Sequence, residues 1–87
     1  MAAVTTDTGP YVVALGPIKA EVASVSSVDD ADTYTTRIQR PLFGFFVSTS
    51  DTNAVIESVN LGISGKTITF NNDALSNTTG TLVLFGF

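Results

Sequence analysis

Three carboxylates crowd one short stretch, Asp29, Asp30 and Asp32, and they form the densest group of potential ligands in the chain. A hard cation such as Ca²⁺ takes several oxygens, and clustered Asp side chains can supply them. The spacing is not that of an EF-hand loop, which needs a Gly at its turn and a closing Glu. The group therefore reads as turn chemistry, since Asp side chains bond to nearby backbone, and no metal is expected. Acid–base work on a sugar would need two carboxylates facing each other across a cleft. Glu21, Glu57 and the Asp residues are nominal candidates, but a chain of 87 residues leaves little room for a cleft beside a core. Ser and Thr nucleophiles need a base, and only Lys19 and Lys66 are on offer, because the chain has no His and no Cys. His is the side chain that titrates near neutrality, and Cys is the strongest nucleophile there. No catalytic residue, enzymatic activity or cofactor is expected.

The composition points toward assembly. Charged residues make up 14% of the chain, against roughly a quarter in typical soluble domains. Hydrophobic residues reach 44%, and Ser and Thr fill the difference. The result is a neutral, hydroxylated surface suited to close subunit contact. The net charge is −4, and the cations Lys19, Arg37, Arg40 and Lys66 are scattered. They make no phosphate-binding stripe, so nucleic acid is not an expected partner. Without Cys there is no disulfide, and without Cys or His no zinc site. A domain this small commonly gains stability from partner subunits. Residues 1–10 lack the basic and apolar regions of a secretory signal. The apolar runs Tyr11–Leu15 and Leu42–Val47 are too short to span a bilayer, so no membrane partner is expected.

The pattern along the chain is that of short strands. Gly9, Pro10 and Pro17 bracket Tyr11–Leu15, which is an edge strand or an extended arm on a neighbour. Residues 1–17 are expected to be such an arm, packed outside a compact body of residues 18–87. Ile18, Ala20 and Val22 alternate with Lys19, Glu21 and Ala23, the period of a half-buried strand. Residues 28–32 form a turn, and 33–38 are β-branched and aromatic, hence a strand. Pro41 stops it, and Leu42–Val47 follows, with Gly44 where a strand bulges or another backbone comes close. Residues 48–53 form a polar turn before alternation from Val55 to Leu61. Gly62 to Gly65 marks a tight turn, residues 66–70 a strand and 71–80 a polar loop. The run 81–87 puts Val83, Phe85 and Phe87 on one face and Leu82, Leu84 and Gly86 on the other. Both faces are apolar, so both should be covered. Six to seven short strands at this spacing predict an all-β fold, a small antiparallel sandwich or barrel.

Phe43, Phe45, Phe70 and Phe85 are expected in the core or in cross-strand pairs. Phe46 points away from Phe43 and Phe45, and Phe87 lies at the end of its strand. Both are placed at a subunit contact, together with Tyr11, Val12, Val13 and Leu15. Arg37 and Arg40 could pair with acidic groups on a neighbour or locally on the surface. Asn77 to Thr79 matches a glycosylation sequon, with no secretory signal to support its use.

An early strand after a short N-terminal segment, the acidic turn from Asp29 running into a Thr-rich strand to Thr36, the run Gly65 to Phe70 and the closing run Thr79 to Phe87 follow one another. This order resembles that of small structural proteins of tailed bacteriophages, the decoration or cement proteins of the capsid, over residues 29–87. The resemblance implies an all-β fold, self-association as a trimer, a place on the capsid surface of the virion and the major capsid protein as partner. The alternative is a small tail or fibre module that binds a host carbohydrate or receptor through its Asn-rich loops, residues 48–53 and 71–80.

Overall fold

The computed structural model describes residues 2–49, 59–72 and 75–87. Seven strands form two antiparallel sheets, and no helix occurs among the described residues. In chain order they are β1 (Thr5–Leu15), β2 (Ile18–Val28), β3 (Thr33–Thr35), β4 (Pro41–Ser48), β5 (Asn60–Ser64), β6 (Thr67–Asn71) and β7 (Thr78–Gly86). The larger sheet has the order β1-β2-β7-β4 and the smaller β3-β6-β5. The all-β fold expected from the strand pattern is the fold observed, and its two-sheet form is that of a sandwich.

Two tight hairpins set the register. Gly16 and Gly65 each occupy the first position of a two-residue loop with φ of 70° and 60°. A positive φ at that position lets the turn follow the right-handed twist of its strands. The second loop corrects the turn expected from Gly62 onward. Gly62 and Ile63 are inside β5, paired with Thr69 and Ile68, and the chain reverses only at Gly65. The expected alternation at Val55 and Ile56 lies outside the described residues.

The N-terminal segment also differs from expectation. Of the arm expected over residues 1–17, the described residues do not lie outside the body: β1 pairs with β2 from Thr5 to Leu15 as the edge strand of the larger sheet. The register slips between Thr6 and Thr8 and again between Thr8 and Tyr11. Pro10 sits at this irregularity, on an edge, where its missing N–H costs no ladder bond. Before β1, Val4 N–H donates to Thr33 O at 2.9 Å and Thr33 N–H to Ala2 O at 2.8 Å. The segment thus touches the smaller sheet first and then joins the larger one.

The core fills the space between the sheets. Ala23, Val25, Phe46, Leu82 and Leu84 come from the larger sheet, Tyr34, Ile68 and Phe70 from the smaller, and Val28, Ile38 and Leu75 close the ends. The Phe46 ring meets the Phe70 ring edge-on, centroids 5.3 Å apart. Gly44 lies where the backbones crowd, since a Cβ there would come within 2.4 Å of Val83 O. The close approach expected at Gly44 is therefore present. β1 and β2 contain 11 residues each, about 36 Å of chain, whereas β5 and β6 contain five. The smaller sheet cannot reach the far end of the first hairpin. Glu21, Ala23 and Val25 are covered, while Val12, Ala14 and Lys19 on the same face remain exposed.

Candidate functional site

The carboxylates are committed to the fold. Asp32 is buried at the turn between β2 and β3, its Oδ1 accepting from Ala2 N–H and its Oδ2 from Asp29 N–H, each at 3.0 Å. Asp29 Oδ1 accepts from Asn77 N–H at 2.6 Å, and Asp30 Oδ1 from Asn72 N–H at 3.1 Å. The three side chains tie the N-terminal segment and the β6–β7 connection to one turn, the role that Asp plays by capping free backbone donors. Among the described residues, no group of three or more His, Cys, Asp or Glu is placed to hold a metal.

Glu21, a nominal acid–base candidate in the sequence, takes a structural role that the sequence reading did not assign. It lies on the inner face of β2 and is 1% exposed. Its carboxylate accepts from Tyr34 Oη, from Thr36 Oγ1 at 2.7 Å and from Arg37 N–H at 2.8 Å. Thr36 Oγ1 in turn accepts from Ile38 N–H at 3.0 Å. The donors all come from the stretch where the chain leaves the smaller sheet to enter the larger one. A carboxylate accepts at both oxygens and donates at neither, so it can gather hydroxyls and amides that a core would otherwise leave unpaired. The available signal was the spacing of Tyr34 and Thr36: two positions apart on a strand, they present hydroxyls on one face. With Glu21 buried and its donors gathered around it, the arrangement reads as a clamp.

Burial pushes the Tyr34 hydroxyl far above its ordinary value, and the hydrogen bond and charge of Glu21 push the same way against a smaller opposing effect of Arg37. Tyr34 is thus an obligate donor at neutral pH. An acid whose folded-state pKa is raised contributes stability that is complete below its unfolded value, about 10, and that declines as the pH rises beyond it. Urea midpoints are therefore expected to hold steady to about pH 9 and then fall. Tyr34→Phe should lose stability at neutral pH yet fall less steeply in alkali. Equal alkaline slopes for the two proteins would remove Tyr34 as the cause.

What remains open is a face. On the side of the larger sheet turned away from the core, the register aligns Tyr11, Val22, Val83 and Phe45 in one transverse row and Val13, Ala20, Phe85 and Phe43 in the next. Leu15 and Val47 extend the outer strands, and no charged side chain stands in these rows. Tyr11 is 60% and Phe43 56% exposed. Phe43 stacks on Phe85 with centroids 5.0 Å apart, and Phe45 lies 6.4 Å from the same ring.

The structure redistributes the side chains assigned to a contact. Tyr11, Val13 and Leu15 lie on the open face, while Val12 is exposed on the opposite face, beyond the reach of the smaller sheet. Phe87 is exposed at the sheet margin with the Arg40 guanidinium 5.9 Å from its ring centroid. Phe46 is corrected: it is a core residue, because the second sheet covers its side of β4 and not the side of Phe43 and Phe45. Phe43, Phe45 and Phe85, expected in the core or in cross-strand pairs, are on the open face, and Phe43 and Phe85 form such a pair there. Residues 50–58, including Glu57, and 73–74 of the Asn-rich loops lie outside the described residues. No protein-family model, curated protein or solved structure matches the chain.

Proposed function

We propose that the chain is a structural subunit of a viral shell, a decoration or cement protein that sits on a lattice of major capsid protein and acts as a homo-oligomer. It works by contact alone. The observation that supports this reading is the uncharged apolar face of the larger sheet. The half-exposed side chains there present on the order of 600 Å² of apolar surface, at the upper end of what monomers leave to water. The resemblance to tailed-phage decoration proteins supplies the virion and the capsid partner.

The test uses capsid particles that lack the chain. Purified protein is expected to co-sediment with them at saturating, lattice-defined stoichiometry and to raise the temperature at which they break open. Absence of binding to particles overturns the reading, as does specific retention on a glycan array, which belongs to the tail or fibre module.

A further inference from the structure

We infer that the open face of the larger sheet is covered by the same face of a second copy, so that the aromatic ridge of each chain lies in the trough of the other. This rests on the reading that the chain works by assembly, and it names the first contact of that assembly.

The shape of the face carries the inference. Large side chains stand on the outer strands, Tyr11, Val13 and Leu15 on β1 and Phe43 and Phe45 on β4, where Phe85 of β7 adds to the second ridge. Between the ridges, β2 presents Ala20, Val22 and Ser24. Ala20 is buried at the floor although it lies on the open side. The face is therefore lowest along β2 at Ala20 and Ser24, a trough with Tyr11, Val13 and Leu15 on one side and the phenylalanines on the other. Sheets that pack face to face approach to roughly 10 Å, with side chains interdigitating. Two copies related by a two-fold axis and shifted by one strand place the β4 ridge of each over the β2 trough of the other. Such a contact is isologous, and each chain supplies both halves of the fit.

Chemistry selects the occupant. A charged surface brought onto these rows would lose its water and gain no partner. An uncharged apolar sheet face is the complement, and this chain carries one. The area also suffices: on the order of 600 Å² per chain approaches the roughly 800 Å² that each side of a standard stable interface buries. The arrangement gives two copies in place of the three that the resemblance implies.

Sedimentation velocity on the full chain, without particles, tests this. A concentration-dependent dimer is expected at micromolar concentration. Val13→Asp, on the β1 wall against which the partner's β4 ridge lies, should weaken it by roughly 10-fold or more, because the charge is desolvated there without a partner. Ala20→Phe, which fills the trough, should do the same. Val12→Asp changes the neighbouring residue on the opposite face and should leave the dimer intact. Because Val12 and Val13 are both exposed, the two Asp variants are expected to keep the wild-type melting curve under conditions where the protein is monomeric. A monomeric wild type overturns the inference. So does a trimer, or a dimer that Val12→Asp breaks and Val13→Asp spares, which would place the contact elsewhere. A monomer that still binds capsid particles defeats this inference and leaves the capsid-binding part of the proposed function standing; a dimer that does not bind them does the reverse.

Discussion

Glu21→Ala is expected to cost about 3–5 kcal/mol, enough to leave little folded protein at room temperature. The carboxylate is buried and accepts from Tyr34, Thr36 and Arg37. Removing it orphans two hydroxyls and one amide together, and each orphaned buried donor costs about 1–3 kcal/mol. The hydroxyl of Thr36 can turn, and water can enter the gap, so the sum falls short of the maximum. In urea, a slope of about 1 kcal/mol/M for a domain of this size moves the midpoint down by roughly 3 M or abolishes the transition. Glu21→Gln keeps the shape and one acceptor oxygen but turns an amide toward donors. It should fall between the two. A midpoint within about 0.5 M of wild type for Glu21→Ala would show that the clamp does not hold the crossing between sheets.

Phe70→Ala is expected to be nearly as damaging. Phe70 is fully buried and meets Phe46 edge-on, and its backbone N–H donates to Asp32 O at 2.9 Å. Truncation removes the ring that fills the middle of the sandwich and leaves a cavity that strands cannot collapse around without breaking register. Such changes cost about 3–5 kcal/mol. The melting temperature should drop by roughly 15–30 °C, measured under conditions where wild type and variant have the same oligomeric state. A drop below about 5 °C would mean that the two sheets are not held together through this ring.

The strands were legible because β-branched and aromatic runs broken by Gly, Pro and Asp leave few other structures open. Gly44 announced a close backbone approach, and the acidic turn announced the end of β2. Which face of a strand is covered was harder to read. β7 is apolar on both sides, and period two alone does not say which side receives the second sheet. Leu82 and Leu84 went inward, leaving Phe85 with Phe43 and Phe45 outside. β2 hid its parity by placing Glu21 among the inward residues, where alternation suggests a solvent position. The burial is tolerable only because donors from β3 and the residues after it converge on the carboxylate, a coincidence of tertiary structure. β1 looked like an arm because its prolines argue against a central strand, and they do; at an edge with a slipped register they are compatible with pairing.

The position of β7 has a consequence for how the chain is made. β7 lies between β2 and β4 and pairs with both, yet it follows them in the sequence. As the ribosome delivers the chain, the first hairpin and β4 emerge with their inner edges unmatched, and neither can be joined until Gly86 is clear of the exit tunnel. Contacts that span most of the chain are slow to form because loop closure must come first. The nascent protein must therefore travel as an incomplete sheet with its backbone edges unpaired and apolar side chains bared. Synthesis that stalls before β7 should yield a species that recruits chaperones or aggregates, with no stable half-folded form.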